Sequence, residues 1–349
     1  MKVMHLLQSD HFSGAENVVC QIMNLFNDDK NVEMFYCSRD GQIKEELLQR
    51  NIKFVPIKSL TRKEVKRVIK EQRPDIIHAH DMRASFVASR CCKKIRLISH
   101  VHNNNFNSRG FSIKSIAYLI ASRKFEHIFW VSQSSYDGYA FHKFLKKKSE
   151  VLYNIIDINS LKQKMSLDRK EYLYDIVYLG RLTTPKNPIR LMNVFKTVID
   201  LKPNIKIAVI GSGDLEKETI DEAIKLGIKE KIDFLGFKTN PYKMLYDSKV
   251  MLMTSYWEGT PMCILEALSL GVPVVSTPVD GVKNVIKNNY NGYLSEENNE
   301  LAKKCILLVE NIKIHNEMSE NCLKTANEMM DIAKYKNAIK KEYLLRKGN

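Results

Sequence analysis

The chain has 349 residues, more than the roughly 250–300 at which a single hydrophobic core usually stops growing, so its length predicts two domains. Hydrophobic residues make up 44% and charged residues 27%, as in an ordinary soluble globular protein, and no apolar run reaches the roughly 18 residues of a membrane span. The net charge of +15 lies mostly in residues 1–165, with 28 Lys and Arg against 16 Asp and Glu (net +12), while the remainder has 27 against 24 (net +3). The basic first half predicts an anionic partner, such as nucleic acid, lipid headgroups or a phosphate-bearing substrate, unless its lysines only form a solvated surface.

The N-terminus carries one lysine and a short apolar run, which predicts a first β-strand rather than a signal peptide. We therefore expect a cytoplasmic protein. Seven scattered cysteines without a C-x-x-C pair predict reduced thiols rather than a disulfide framework or a zinc site.

Strand-like and helix-like segments alternate along both halves of the chain. In the first half we predict strands at residues 3–7, 32–37, 53–57, 75–79, 97–101 and 127–132. Residues 151–174 lose the alternation and are predicted to be a linker. In the second half we predict strands at 175–179, 205–210, 232–235, 250–254 and 272–276, helices at 189–201, 215–226 and 262–270, and only helices after 302.

This alternation predicts an α/β fold of two Rossmann-like, doubly wound parallel-sheet domains that face a cleft. We place the first domain at 1–160 and the second at 170–330, and expect the C-terminal helix at 331–349 to pack back on the first. Ligands of such domains bind at the carboxyl ends of the strands.

The first candidate site is the loop after the strand at 175–179, which begins with Gly180 and contains Arg181 and Lys186. Glycine permits a sharp turn there, and two cations five positions apart before a helix can converge on one diphosphate. The N-terminus of the following helix adds its positive dipole. The alternative is a basic loop that is merely solvated.

The second candidate site holds two glutamates, Glu258 and Glu266, eight positions apart across a turn and a helix start. The intervening turn exposes backbone N–H groups suited to anionic or hydroxyl-rich ligands. Glu266 lies on an otherwise apolar helix, about two turns in, and a buried carboxylate needs a partner such as a ribose diol. The alternative is that Glu258 caps the helix and Glu266 lies on the surface.

In the first half, Gly14 lies in the turn between the first strand and the first helix, where the backbone can approach a ligand closely. The G-x-G-x-x-G pattern is absent, which disfavours NAD. His78, His80, His100 and His102 lie near two strand ends without a carboxylate cluster, so we predict polar contacts rather than a metal site. No two aspartates stand in a D-x-D spacing, so we expect no clamp that holds a diphosphate through a metal ion, and no cofactor. Arg181 and Lys186 would then have to stabilise a leaving diphosphate without a metal.

Nine motifs together carry a resemblance over essentially the whole chain: SGAE, DIIHAHD, ISHVHNN, WVSQSS, NIID, GRLTTPKN, GSGDL, DFLGF and EGTPMCILEALSLGVPVV. In these the chain resembles the family 4 glycosyltransferases of GT-B fold, particularly those of bacterial capsular and exopolysaccharide synthesis. Two positions depart from the family pattern. Ile155 replaces the usual glycine of the linker, which puts its turn geometry in doubt, and Lys283-Asn284 stands where Pro-Glu is common, which weakens any carboxylate contact there.

The resemblance implies a retaining, metal-independent hexosyltransferase with a nucleotide-sugar donor, which we expect to be a UDP-sugar, and a glycan or lipid-linked sugar acceptor. It implies that Arg181 and Lys186 contact the diphosphate, that Glu266 holds the ribose and that the nucleobase rests near Phe237. His102 matches the histidine near the reacting sugar, and Gly14 and Ala15 face the diphosphate from the other domain. Glu258 lines the donor sugar together with the backbone of Gly259, Thr260, Pro261, Met262 and Cys263.

Residues 108–125 and 139–148 mix apolar and aromatic side chains with lysine and arginine. Such surfaces rest on anionic membranes, and we expect them to dock the enzyme on the inner leaflet, near a polyprenyl-diphosphate-linked acceptor. Ordinary helices with a basic solvated face are the alternative. For the function itself the alternatives are a sugar-nucleotide 2-epimerase of the same architecture and a non-catalytic basic binding protein, although no nucleic-acid-binding module is evident.

Overall fold

The computed structural model describes residues 1–12, 14–92, 95–102 and 110–345. The chain divides into two compact units: the first is Met1–Asn154 together with the segment that starts at Ile332, and the second is Ile155–Asp331. Ser13 of the SGAE motif, residues 103 and 104 of the ISHVHNN motif, and residues 108 and 109 of the expected docking segment lie outside the described residues. Within the described part of the chain, no helix combines the length and apolar composition needed to cross a membrane.

The first unit contains a six-stranded parallel sheet in the order β2-β1-β3-β4-β5-β6. Its strands are β1 (Lys2–Leu6), β2 (Glu33–Cys37), β3 (Ile76–His80), β4 (Arg96–Val101), β5 (His127–Trp130) and β6 (Ser149–Val151). Its helices are α1 (Gly14–Leu25), α2 (Ile43–Gln49), α3 (Arg62–Gln72), α4 (Asp81–Ser89), α5 (Ile113–Ser122), α6 (Gln133–Asp137) and α7 (His142–Leu145).

The second unit repeats this plan with a parallel sheet in the order β12-β11-β10-β7-β8-β9. Its strands are β7 (Ile176–Leu179), β8 (Ile207–Ile210), β9 (Ile232–Gly236), β10 (Val250–Met253), β11 (Val274–Ser276) and β12 (Gly292–Leu294). Its helices are α8 (Ile158–Leu167), α9 (Pro188–Leu201), α10 (Glu216–Lys225), α11 (Tyr242–Tyr246), α12 (Met262–Ser269), α13 (Asp280–Lys283), α14 (Asn298–Glu310) and α15 (Ile312–Met329). The prediction of two doubly wound parallel sheets is confirmed.

The final helix, α16 (Ile332–Leu344), belongs to the first unit. Lys340 Nζ donates to Asp29 Oδ2 at 2.7 Å, next to the end of α1. The guanidinium of Arg96 on β4 donates to the backbone oxygens of Glu342 at 2.6 Å and Tyr343 at 2.7 Å. These bonds hold the last turn of α16 against the sheet.

Local signals mark several helix starts. Thr61 precedes α3 and its side chain accepts a hydrogen bond from the backbone N–H of Glu64, while Pro188 occupies the first position of α9, where no N–H is needed. The central strands, such as β3 and β10, are short and fully buried runs, as in parallel sheets covered on both faces. All seven cysteines lie in the described part, are buried and are free thiols, as predicted.

One sequence prediction of local structure is wrong. Residues 53–57 form no strand, because within them only Phe54 and Ile57 pair, by isolated bridges to Tyr36 of the edge strand β2 and to Arg39 just after it. The boundary between the two units falls within the predicted linker, residues 151–174, although β6 ends and α8 lies in the same segment. The three-residue strands β6 and β12 were too short to give an alternating pattern.

The strand order in each sheet reverses at one point. In the second unit the reversal falls between β7 and β10, and in the first unit between β1 and β3. The loops that leave the carboxyl ends of two such strands diverge to opposite faces and leave a crevice, which is where doubly wound sheets bind ligands. Both predicted donor loops, after β7 and after β10, start at this crevice.

Candidate functional site

The loop after β7 is held by backbone contacts rather than by its own side chains. Gly180 N donates to Ile210 O at 3.0 Å, and the buried Tyr178 hydroxyl donates to Arg181 O at 2.8 Å. The backbone at Gly211 lies so close to this loop that a Cβ there would be 1.9 Å from Gly180 O. This close contact explains the first glycine of the GSGDL motif. The loop therefore presents the exposed Arg181 side chain from a fixed backbone.

The loop after β10 packs directly on the loop after β7. Tyr256 N donates to Pro185 O at 2.8 Å, and the Thr254 hydroxyl donates to Asn187 O at 3.0 Å. Asn187 adopts a left-handed conformation with φ 50° and its side chain caps α9. Contacts between residues about 70 positions apart thus set the geometry of both loops.

Lys186 and Glu258 form a largely buried ion pair across these loops. Lys186 Nζ donates to Glu258 Oε1 at 2.5 Å, and the Ser255 hydroxyl donates to the same oxygen at 2.7 Å. The two side chains are 14% and 10% exposed. Burial lowers the pKa of Lys186, but the attraction and hydrogen bond from Glu258 outweigh it, so its pKa is raised and the amine stays charged.

The predicted donor residues belong to one electrostatic cluster. The charges of Glu258 and Arg181 both act on Lys186, and the Cys263 thiol interacts with Lys186, Glu258 and Glu266. Burial raises the pKa of Cys263 to about 12, so this thiol is neutral. The Lys186 ammonium is paired with Glu258, whereas the Arg181 side chain is exposed and its charge can meet an incoming anion.

Glu266 is buried, at 8% exposure, on a helix whose eight residues are all buried. Its Oε1 accepts a hydrogen bond from the Tyr242 hydroxyl on α11 at 3.3 Å. The alternative of a surface Glu266 is therefore wrong, and so is its expected depth, because Glu266 is the fifth residue of α12, about one turn in. The alternative of Glu258 as the helix cap also fails, since Pro261 occupies that position without a side-chain cap.

The turn before α12 depends on a glycine that sequence reasoning passed over. A Cβ on Gly281 would lie 1.5 Å from Gly259 O and 2.7 Å from Glu258 O, so α13 lies directly against this turn. Thr260 within the turn is buried, as are Met262 and Cys263. The side chains of this turn are therefore packed inside the second unit.

Phe237 follows β9, whose last residue, Gly236, has a φ of 66°. Gly236 O accepts from Gly211 N at 2.9 Å, which joins this strand end to the β8 loop of the same sheet edge. Phe237 is 51% exposed, so part of its side chain is accessible to a ligand.

In the first unit, Gly14 and Ala15 begin α1 at the carboxyl end of β1. His102 directly follows β4 and is buried. Its backbone N–H donates to Asp81 Oδ1 at 2.8 Å and its Nε2 lies 2.9 Å from His80 Nδ1. His78 and His80 of β3, His100 of β4 and His102 directly after β4 share one face of the sheet, since neighbouring rings stack upon each other.

Comparison with known proteins agrees with this architecture. Residues 12–160 match the model of Glycosyltransferase Family 4, and residues 159–325 match that of Glycosyl transferases group 1. The two models together span both Rossmann-like units. The chain belongs to the family 4 glycosyltransferases.

Individual relatives of this glycosyltransferase support the same assignment. An uncharacterized glycosyltransferase of Methanocaldococcus jannaschii is 30% identical over 64% of this chain and 60% of its own length. The UDP-Gal:alpha-D-GlcNAc-diphosphoundecaprenol alpha-1,3-galactosyltransferase of Escherichia coli is 24% identical over 99% of this chain and 97% of its own.

Among solved structures, Anabaena HepE in complex with UDP-glucose superimposes with a TM-score of 0.84 at 21% identity, covering 98% of this chain and 99% of HepE. The lipopolysaccharide outer core galactosyltransferase WaaB gives a TM-score of 0.69 at 20% identity, with 98% and 99% covered. These likenesses confirm the predicted GT-B fold. The predicted enzyme class, a glycosyltransferase of the hexosyltransferase type, is also confirmed.

The structure therefore groups Arg181, Lys186, Glu258 and Glu266 in the second unit, with Phe237 on the same sheet edge. Their individual roles toward a donor stay predictions. Sequence reasoning missed Tyr242 and Gly281, which hold Glu266 and the turn at Glu258. A tyrosine or a glycine in an ordinary helical segment gives no signal until tertiary contacts are known.

Proposed function

We propose that this glycosyltransferase moves a hexose from a UDP-sugar to a glycan or lipid-linked sugar, with retention at the anomeric carbon and without a metal ion. The observation that carries the proposal is the cluster of Arg181, Lys186, Glu258 and Glu266 at the crevice between β7 and β10. The cytoplasmic face of the cell membrane, in capsular or exopolysaccharide synthesis, is the proposed setting.

The diphosphate of the donor is the ligand that best fits the two cations. Arg181 offers a planar fork of donors, and Lys186 keeps N–H groups beyond the one given to Glu258. As the glycosidic bond breaks, negative charge grows on the leaving phosphate, and fixed cations in a water-poor crevice stabilise it. Neither the binding of the diphosphate nor the stabilisation of its growing charge calls for a metal ion. HepE, with a UDP complex, supports uracil as the base, which in this chain would stack on Phe237.

The two glutamates suit the two sugars of the donor. Glu266, which accepts a hydrogen bond from Tyr242, would also accept hydrogen bonds from the ribose diol. Glu258 is oriented by Lys186 and Ser255 and would face the transferred hexose together with the backbone of residues 259–263. The family resemblance assigns His102 to the sugar, and Gly14 and Ala15 to the diphosphate. In this mechanism the leaving phosphate itself takes the proton of the incoming hydroxyl, which keeps the anomeric configuration.

The donor assignment is tested by thermal shift and transfer. Free UDP and UDP-hexoses should raise the melting temperature of the purified protein in the presence of EDTA, by mass action. Arg181→Ala should abolish the shift, whereas Arg169→Ala, another exposed arginine of the second unit, should keep it. A shift for GDP-sugars alone would reassign the base, and a strict need for added metal would remove metal independence.

The acceptor and the stereochemistry need a product analysis. The E. coli relative is named for transfer to a sugar on diphosphoundecaprenol, which supports a polyprenyl-diphosphate-linked acceptor here. We expect hexose transfer to such a lipid with an α-linkage from an α-linked donor, read by NMR of the product. A β-linked product would refute retention, and inversion at C2 of the donor without any acceptor would instead establish the 2-epimerase.

A basic apolar surface on the first unit supports the membrane setting. It is formed by the exposed side chains of Phe111, Ile113, Ile116, Ile120 and Phe144. The rings of Phe111 and Phe141 meet edge to face at 5.3 Å, and so join the start of α5 to the segment around α7. Residues 110–125 and 139–148 contain seven Lys and Arg and no acidic residue.

Six of those seven cations are exposed and suit anionic headgroups: Lys114, Arg123, Lys124, Lys143, Lys146 and Lys147. Lys148 is instead used inside the protein, because its Nζ donates to the backbone oxygens of Ser122 at 2.8 Å and Phe125 at 3.1 Å. Apolar side chains ringed by cations bind anionic bilayers by combining burial with charge attraction.

Liposome flotation tests this surface. The protein should float with vesicles containing phosphatidylglycerol and much less with pure phosphatidylcholine, and high salt should release it. The pair Ile113→Ser and Phe144→Ser should abolish flotation, while Leu48→Ser, an equally exposed apolar residue on α2, should not. Absence of binding at low salt would remove the membrane from the proposal and leave sugar transfer untouched.

A further inference from the structure

A pocket of about 640 Å³ lies at the start of α9, among side chains that the proposed donor site does not use. Its volume falls in the range of roughly 300–1,000 Å³ that small-molecule sites usually have. All residues that line it belong to the second unit. It is here called the α9 pocket, and six of its residues carry the argument: Asn187, Ile189, Arg190, Asn193, Tyr256 and Asn298.

The α9 pocket begins where the two donor loops meet. Asn187 directly follows Lys186, and Tyr256 lies two positions before Glu258. Tyr256 N donates to Pro185 O at 2.8 Å, so the loops that carry the donor residues also form a wall of the pocket. A ligand in the pocket would therefore lie next to the loops that hold the Lys186–Glu258 pair.

Arg190 is held in place by α14, whose first residue, Asn298, lines the pocket. Its Nε donates to Asn298 Oδ1 at 2.8 Å, its Nη2 donates to Glu296 O, and its Nη1 lies 3.8 Å from Glu296 Oε2. The guanidinium is thus partly neutralised, and its side chain is only 22% exposed. The same contact fixes Asn298, whose Nδ2 donates no hydrogen bond within the part of the chain that the structure describes.

Asn193 and Tyr256 add further open groups. Asn193 Nδ2 donates to Ile189 O at 2.9 Å, one turn earlier on α9, and this bond orients the side chain. Among the described residues, nothing donates to Asn193 Oδ1. Tyr256 is 56% exposed, and its ring lies beside that of Trp257 at a centroid distance of 6.0 Å and an angle of 25°. The pocket therefore offers a hydrogen-bond donor, an acceptor and an aromatic surface, and no carboxylate is among its described lining residues.

A sugar fits this combination best. Each sugar hydroxyl both donates and accepts hydrogen bonds, and the C–H groups of a pyranose pack on the negative face of an aromatic ring. A phosphate would gain little, since the N–H groups of Arg190 are already used in part and the Glu296 carboxylate lies beside them. A lipid chain would cover Asn193 and Asn298 without pairing their amides, which costs free energy.

We propose that the α9 pocket is a carbohydrate subsite that holds the acceptor glycan, with one sugar packed on Tyr256 and hydrogen-bonded to Asn193 and Asn298. The inference rests on the proposed function, in which a hexose moves from a donor at Glu258 to a glycan. It deepens that function by assigning part of acceptor recognition to the second unit. Because the subsite acts on acceptor binding, its loss raises the acceptor KM and leaves the donor site intact.

A purely structural role is the competing explanation, because Arg190 and Asn298 also join α9 to α14. Asn298→Asp separates the two roles. The aspartate keeps an acceptor for Arg190 Nε, so the two helices stay joined, but it lacks the N–H groups that a sugar hydroxyl would use. We expect this variant to be as stable as wild type in urea unfolding and to have a raised acceptor KM.

Saturation-transfer NMR tests sugar binding without any transfer reaction. The probes are the methyl α-glycosides of glucose, galactose, N-acetylglucosamine and N-acetylgalactosamine, added to the full-length protein in the presence of UDP. We expect saturation transfer to the ring C–H protons of at least one probe, and a loss of at least about threefold in Tyr256→Ala. Tyr290→Ala, which removes another exposed tyrosine of the second unit, is the control and should keep the signal. No signal for any probe, or an equal signal in Tyr256→Ala and wild type, would overturn the proposal.

Kinetics test the role of the pocket in transfer. The substrates are a UDP-hexose and N-acetylglucosamine on a polyprenyl diphosphate. Tyr256→Ala, Asn193→Ala and Asn298→Asp should each raise the acceptor KM at least about fivefold, while the donor KM and the thermal shift with UDP stay within about twofold. Equal rises of the donor and acceptor KM would indicate a structural effect and contradict the proposal.

Failure of the subsite and failure of the proposed function are distinguishable. If wild-type protein neither binds UDP nor transfers sugar, the proposed function fails, while the NMR experiment still decides whether the pocket binds sugars. If UDP binding and transfer are intact but all three variants keep the wild-type acceptor KM, the subsite fails alone.

Discussion

Replacing Lys186 by methionine would leave the Glu258 carboxylate in place without its cation. Glu258 is 10% exposed, and its Oε1 would keep only the Ser255 hydroxyl as a donor from this group of contacts. Breaking a buried ion pair by removing one partner costs about 3–5 kcal/mol, because the remaining charge stays desolvated. The slight exposure of both side chains favours the lower end, about 3 kcal/mol.

That cost should appear as lower stability of the second unit. For a domain of this size, 1 kcal/mol corresponds to about 2–4 °C, so Lys186→Met should lower the melting temperature by about 6–12 °C. Urea unfolding followed by tryptophan fluorescence separates the units, since Trp257 lies in the second and Trp130 in the first. A Trp130→Phe background leaves Trp257 as the reporter.

Two further variants show whether the reasoning is right. The pair Lys186→Met and Glu258→Gln removes both charges and should regain most of the lost stability while transfer stays absent. Arg181→Ala should lose transfer with little change in stability, because its side chain is exposed. If Lys186→Met is as stable as wild type, or if the double variant is less stable than the single one, the buried pair does not hold these loops as argued.

Three other changes have expected outcomes. Gly281→Ala should abolish UDP binding and destabilise the second unit, since the added Cβ would lie 1.5 Å from Gly259 O. The control Gly110→Ala, whose Cβ would meet open space, should behave like wild type. A fully active Gly281→Ala would disprove the close packing. Phe237→Ala should raise the Kd for UDP about tenfold in titration calorimetry, about 1.4 kcal/mol of lost base stacking, with stability unchanged; an unchanged Kd would place the base elsewhere. The buried imidazoles of His5 and His102 each have a folded pKa of about 3, against 6.5 in the unfolded chain. Because the unfolded chain then binds more protons, the free energy of unfolding of the first unit must fall as the solution is acidified below about pH 6.5. Together these two histidines should lower the free energy of unfolding of the first unit by about 4 kcal/mol between pH 7 and pH 5, measured by urea unfolding at each pH. A free energy of unfolding that does not change over this range would contradict the burial of both rings in the neutral form.

Much of this enzyme followed from its sequence. Buried apolar runs that alternate with amphipathic segments determined the two parallel sheets, because both faces of such strands must be covered. Glycine and charged residues directly after a strand located both donor loops, since the carboxyl ends of parallel strands share an edge. The predictions failed for residues 53–57, where a strand-like composition pairs only by isolated bridges.

Only the tertiary structure decided which of these residues touch. Lys186 and Glu258 are 72 positions apart, and no local pattern says that they neutralise each other and hold the two loops together. The same holds for His5 and His80, 75 positions apart, whose shared hydrogen bond depends on the pairing of β1 with β3. Sequence periodicity reports which face of an element is buried, but the partners on that face are set by strand order and register. The chemistry of the site depends on those partners, because burial and pairing determine where each charge and proton resides.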